Sequence, residues 1–144
     1  MAAGDGLTPR QQERIEQVVE SARTENGLDV SVLLGDLELD DLSQFREAAE
    51  RLHAALGQRS RSAVLLVVAP GQRRVEVVTG PEVRRRVPDR VSALAVLSMT
   101  SAFRGGDLTG GIVDAVRQIA ASAGRGTPLQ LPTATSTDVA VAGH

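Results

Sequence analysis

The 144-residue chain contains no cysteine, no lysine, no tryptophan and no tyrosine, and only two phenylalanines. Without cysteine there is no disulfide, no thiolate nucleophile and no iron–sulfur cluster, and a structural zinc would find few ligands. Without lysine there is no Schiff-base chemistry and no P-loop lysine for a nucleotide phosphate. Chemistry is left to carboxylates, arginines, hydroxyls and His53, since His144 is the last residue. No apolar run approaches the ~18 residues of a membrane span, and the opening Met1-Ala2-Ala3-Gly4-Asp5-Gly6 resembles no secretory signal. The expectation is a cytoplasmic protein with no membrane insertion.

What is present is ordinary for a soluble globular chain: 42% hydrophobic residues and 24% charged. The length fits one domain that buries roughly two-thirds of its unfolded surface. Sixteen arginines against 18 acids leave a net charge of −2, which gives no long-range attraction to nucleic acid. Arginine used in place of every lysine is the habit of a GC-rich bacterial coding sequence.

Thr8-Pro9 reads as N-cap and first residue of a helix in which Ile15, Val18, Val19 and Ala22 form a stripe, with Asn26-Gly27 as the stop. Residues 28–34 read as a strand and 35–41 as an acidic loop. Leu42, Phe45, Ala49, Leu52 and Leu56 recur at helical spacing up to Gly57. Ala63–Ala69 reads as a strand buried on both faces, and the turn Pro70–Arg73 leads into an alternating strand ending at Thr79. The first two strands need a crossover, which the intervening helix supplies as a right-handed βαβ unit, and the last two form an antiparallel hairpin. An arginine-rich connector then precedes a short helix with Val91, Leu94, Ala95 and Met99 on its apolar side. A flexible glycine-rich loop from Gly105 to Gly111 feeds a last helix carrying Ile112, Val113, Val116 and Ile119. The expected fold class is α/β, a three-layer domain with a mixed sheet in the order α-β-α-β-β-α-α. The domain spans 7–123, and 124–144, rich in Gly, Pro, Thr and Ser, reads as a disordered tail.

Several of these segments together resemble the TPM domain family, named for a thylakoid-lumen protein, a photosystem II repair factor and a modulator of acetylcholine receptors. The resemblance rests on Leu7-Thr8-Pro9, Gly27–Val32, Ala63–Pro70, Arg73–Gly80, Asp89, Phe103 and Gly106-Asp107. It covers about residues 7–123 and is greatest to short actinobacterial members that lack a signal peptide and membrane helix. It implies an α/β fold and, more loosely, acid phosphatase activity, divalent-metal binding or a part in assembling membrane complexes.

Between residues 36 and 50 six acids face one arginine. Asp36 follows the C-terminal end of the first strand, where open α/β sheets place ligands. Asp107 sits among glycines before the last helix, and returns to the same edge if the preceding helix runs back across the sheet. Together they could hold Ca²⁺ or Mg²⁺ through oxygen ligands. Asp89 joins them only if the connector crosses the molecule; it is retained because it falls on a family-typical position. The competing reading makes these aspartates helix caps, with Asp40 or Asp41 capping the second helix and Asp107 or Thr109 the last. Arg84, Arg85 and Arg86 offer an anion or partner site, again against a reading as solvated surface. With no tyrosine or tryptophan to stack on bases, and Phe45 and Phe103 committed to the core, nucleic acid is not expected. His53 reads as a helix-surface residue.

These readings point to a TPM-like binding or accessory domain with a divalent cation at its loop carboxylates. One rival is a metal-assisted acid phosphatase, and another is a metal-free interaction module that presents the arginine connector to a protein partner.

Overall fold

The computed structural model describes residues 7–125. Helix α1 (Pro9–Asn26) begins with a capping box: Thr8 Oγ1 accepts from the Gln11 amide at 3.1 Å, and Gln11 Oε1 accepts from the Thr8 amide at 2.8 Å. It ends at Gly27, whose φ of 63° is left-handed backbone that glycine adopts without steric penalty. Strand β1 (Asp29–Leu34) follows. Asp41 caps a 3₁₀ turn, Leu42–Gln44, that leads into α2 (Phe45–Ala54). Strands β2 (Ala63–Ala69) and β3 (Arg74–Thr79) are joined by the 3₁₀ turn Pro70–Gln72. Two helices close the domain, α3 (Asp89–Arg104) and α4 (Leu108–Ala123).

The sheet order is β1-β2-β3, with β1 parallel to β2 (Val30 opposite Val64) and β2 antiparallel to β3 (Val64 opposite Thr79). Alternation decides the layers. Val64, Leu66 and Val68 face the main core with Val30, Val75 and Val77, under α1, α3 and α4. Leu65, Val67, Ala69 and Val78 face the other way, onto Phe45 and Ala49 of α2. All seven residues of β2 are buried, as its unbroken apolar run requires. Fold class and element order are those the sequence implies.

Three local readings are corrected. Helix α3 is 16 residues long rather than short, and its buried face is Ser92, Ala95 and Met99, while Leu94 is 55% exposed. Spacing of 3 and 4 fits several overlapping stripes, and only contact with β3 and α4 selects one. Gly110 and Gly111 belong not to a flexible loop but to the first turn of α4. There a side chain at Gly111 would bring a Cβ within 2.6 Å of the Ala102 Cβ, so the missing side chain lets α3 and α4 approach. His53 is buried rather than on the helix surface, with Nε2 3.0 Å from the Ala63 carbonyl. That oxygen only accepts, so Nε2 carries the proton.

The expected tail lies outside the described residues apart from Gly124 and Arg125. No helix among the described residues is long and apolar enough to cross a membrane.

Candidate functional site

The loop after β1 is tied to the turn after β2. The Gly35 amide donates to the Val68 carbonyl at 2.8 Å, and Asp36 Oδ1 accepts from the Gly71 amide at 2.9 Å. Gln72 clasps the backbone of Leu37, accepting from its amide at 3.0 Å and donating to its carbonyl at 2.7 Å. A side chain at Gly71 would collide with the Asp36 carboxylate, so glycine is what admits this contact. Asp36 thus holds two loops together at the C-terminal end of β1.

Asp107 reaches the same end by topology. The turn after β3 sits at the opposite end, where the Gly80 amide donates to the Ala63 carbonyl at 3.1 Å. From there α3 runs back across the sheet, and α4 returns beside it to finish near the end of α1. Asn26 Nδ2 donates there to the carbonyls of Ala120 (3.1 Å) and Gly124 (2.8 Å). The start of α4 therefore lies at the Asp36 end. Asp107 Oδ1 caps that helix, accepting from the Gly110 amide at 3.0 Å.

The structure does not bring Asp89 to them. The connector stays at the far end, pinned by buried Val83 and Val87, so Asp89 opens α3 away from both other aspartates. Pro88 is the N-cap and provides no side-chain cap; Asp89 is 86% exposed and 3.8 Å from Arg84 Nε. Among the described residues no three of His, Asp and Glu cluster so as to hold a metal ion.

The three adjacent arginines part company. Arg84 donates through Nη2 to the Thr79 carbonyl at 2.8 Å and through Nε to Thr79 Oγ1 at 3.3 Å. Arg85 is exposed. Arg86 turns inward and donates to the carbonyls of Asn26 at 2.5 Å, Gly27 at 3.3 Å and Ala123 at 3.3 Å. A guanidinium across two helix C-termini satisfies orphan carbonyls and meets their partial negative charge.

Sequence reasoning missed a buried ion pair. Asp29, 5% exposed, receives Arg59 Nε at 2.6 Å and Nη2 at 2.9 Å, and the same Nη2 reaches Ser31 Oγ at 2.9 Å. The Asp29 carboxylate holds the Arg59 guanidinium above its usual range. Helix α2 packs on β3 and β2, and this pair covers the beginning of the same face on β1, beyond which Leu33 is exposed. The alternation in Leu28-Asp29-Val30-Ser31 placed Asp29 and Ser31 on that face, but nothing local in the sequence named Arg59.

Two further surfaces stand out. On α3, Leu94 and Leu97 are 55% and 63% exposed, one turn apart. Between α1 and α4 runs an open groove of about 420 Å³, with Val18, Ala22, Val113 and Ala120 along it and Gln17 and Ser21 at its rim.

The sequence profile of a family described as "Domain of unknown function (DUF5130)" matches residues 7–120. Uncharacterised proteins from two Mycobacterium tuberculosis strains are 35% identical over 91 residues, covering 63% of this chain and 52% of theirs. The chain therefore spans about half the length of the curated relatives it matches. Among solved structures, the BA42 protein of Bizionia argentinensis superposes with a TM-score of 0.69 at 17% identity, covering 81% of each chain. An N-terminal domain from P. gingivalis gives 0.66 at 21% identity, covering 81% of this chain and 75% of that one. An N-terminal domain from Corynebacterium glutamicum gives 0.67 at 13% identity, covering 89% and 82%. At these identities the likeness is one of fold.

Proposed function

The chain belongs to the DUF5130 family, and from that premise and its surface we propose that it is an accessory binding domain that docks an acidic protein partner on the outer face of α3. The observation that carries this reading is the exposure of Leu94 and Leu97, at 55% and 63%, on a helix whose opposite face is fully packed. Arg90, Leu94, Leu97, Ser101 and Arg104 follow at spacings of 4, 3, 4 and 3, which puts them on one stripe, and all five are exposed. Exposed apolar residues framed by charge are the makings of an interface with an apolar centre and a polar rim. Among the described residues no acid pairs with Arg85, Arg90 or Arg104, so this rim favours a partner carrying carboxylates.

Because the chain has no cysteine, Ser101→Cys gives a single attachment point for a photo-crosslinker. The expected result in the native host is one dominant acidic adduct, lost when Leu94→Glu and Leu97→Glu are added and absent from a Gln17→Cys control. Equal capture at Gln17, or capture indifferent to the two leucine changes, refutes the reading, provided the variants keep their helical signal.

A second reading places Ca²⁺ or Mg²⁺ between the loop of Asp36 and that of Asp107, and its support is that the topology brings both loops to one end of the domain. Each carboxylate has one oxygen engaged by a backbone amide, so a cation would compete with or share those bonds. A cation at a hundred times its Kd would add about 2.7 kcal/mol, a rise of several degrees in Tm that EDTA reverses and Asp36→Asn abolishes. An unchanged Tm removes this reading. The metal-assisted phosphatase rests on the same carboxylates, and equal phosphate-ester hydrolysis by wild type and Asp36→Asn would assign that activity to a contaminant.

A further inference from the structure

The three strands leave two edges, and the chain treats them differently. At the β3 edge, the bond from the Gly80 amide to the Ala63 carbonyl sets the alternation, so Val75, Val77 and Thr79 turn their backbone groups outward. Arginine side chains take two of these three carbonyls. Arg46 Nη1 donates to that of Val77 at 2.9 Å, and Arg84 Nη2 to that of Thr79 at 2.8 Å. At the β1 edge, the bond from the Gly35 amide to the Val68 carbonyl points the odd-numbered residues at β2 and leaves Val30, Val32 and Leu34 turned outward. Among the described residues no group bonds to the outward backbone of these three.

We propose that the β1 edge takes an extended segment of a partner protein as a fourth strand, apolar at alternate positions and basic at its N-terminal end. An unpaired edge is a template for such pairing, which the arginines on β3 blunt at the other side of the sheet. In this mode main-chain bonds supply the affinity, and alternate side chains supply the specificity.

The flanks of β1 say what the segment carries. Val32 and Leu34 are half-buried and pack against the main core, as does Val19 of α1. A strand laid beside them continues that apolar surface if every second side chain is apolar. On the opposite face Ser31 is followed by Leu33, 39% exposed, a mixed surface that suits threonine at the intervening positions.

Charge sets the end of the segment. Residues 36–45, which carry the chain on from β1, contain Asp36, Glu38, Asp40 and Asp41 and no base, and all four acids are exposed. None of the four pairs with a base among the described residues. A segment passing this loop meets a negative field that favours Lys or Arg. Antiparallel pairing, the more stable arrangement per residue, brings its N-terminal end there. The surface lies across the sheet from α3, which packs on β3, and it selects the opposite charge from the partner proposed for α3.

The test adds a synthetic peptide, Lys-Arg-Thr-Val-Thr-Val-Thr, to the isotope-labelled full chain and follows the amides by NMR. Glu-Asp-Thr-Val-Thr-Val-Thr is the charge-reversed control. The expected result is that the basic peptide shifts the Val32 and Leu34 amides downfield and slows their exchange with water, while the Ser31 and Leu33 amides, bonded to β2, stay protected throughout. The acidic peptide should bind about tenfold more weakly. Val32→Pro removes an outward donor without touching a bond between β1 and β2, and should abolish binding. Glu38→Lys with Asp40→Lys, changes in the exposed loop that leave the strand untouched, should reverse the preference between the two peptides.

Val32 and Leu34 amides that respond to neither peptide at millimolar concentration overturn the proposal, as do two peptides that bind equally well. So does slow exchange at these two amides in the free chain. If it persists on dilution, a segment of the chain itself covers the edge; if it is lost, a second copy does. Because the readout is confined to β1, its failure leaves the α3 proposal intact.

Discussion

Among the described residues Arg59 is the only side chain that meets the Asp29 carboxylate, and replacing it with methionine removes that partner while keeping most of the apolar stem. The magnitude follows from burial. Side-chain exposure is 26% for Arg59 and 5% for Asp29, so the pair lies much nearer the buried limit than the surface one. Exposed ion pairs contribute about 0–1 kcal/mol, whereas removing one partner of a buried pair costs about 3–5 kcal/mol because an unpaired charge is left behind. Arg59→Met also strips three hydrogen bonds, two from Asp29 and one from Ser31. A loss of about 3 kcal/mol is expected, a fall in Tm of about 10 °C for a chain of this size. The chain has no tryptophan or tyrosine, so urea titration followed by far-UV circular dichroism is the direct assay. Adding Asp29→Leu to Arg59→Met should recover most of the loss, since no buried charge then remains without a partner. A single-variant loss under about 1 kcal/mol, or a double variant worse than the single, would refute the argument that desolvation of Asp29 sets the cost.

Gly111→Ala should destabilise by about 1–3 kcal/mol in the same titration, although alanine is the better helix former, because its Cβ would press on Ala102 at 2.6 Å. Arg86→Met should cost about 2 kcal/mol and speed amide exchange at the last turns of α1 and α4 together, since one guanidinium serves the carbonyls of Asn26, Gly27 and Ala123. The Ser43 backbone amide donates to Asp41 and holds its carboxyl below the usual value of 3.8. A depressed carboxylate stabilises above its unfolded pKa and loses that contribution as pH falls through the folded one. The Ser43 amide resonance should therefore titrate below pH 3.8, and Asp41→Asn should remove that titration.

The sequence by itself settled the elements and their order. Thr8-Pro9 and Gly27 fixed both ends of α1 through capping chemistry, and the unbroken run Ala63–Ala69 marked a strand covered on both faces. Such signals are local: a cap, a turn or an alternation is read within a few residues, and a parallel pair of strands forces a crossover. The resemblance to the TPM family added a fold but no chemistry.

Tertiary packing decided the rest. It chose which of several overlapping stripes α3 buries, leaving Leu94 and Leu97 outside and taking Ser92 in. It sent Arg86 to two helix ends while its neighbour Arg85 stayed exposed, a divergence that three identical letters in a row cannot show. It paired Asp29 with Arg59 across 30 positions and buried His53 against Ala63, because a side chain's partner is set by where the chain returns. It also brought Asp36 and Asp107 to one end and left Asp89 at the other, since the connector is anchored by Val83 and Val87 and does not cross the sheet.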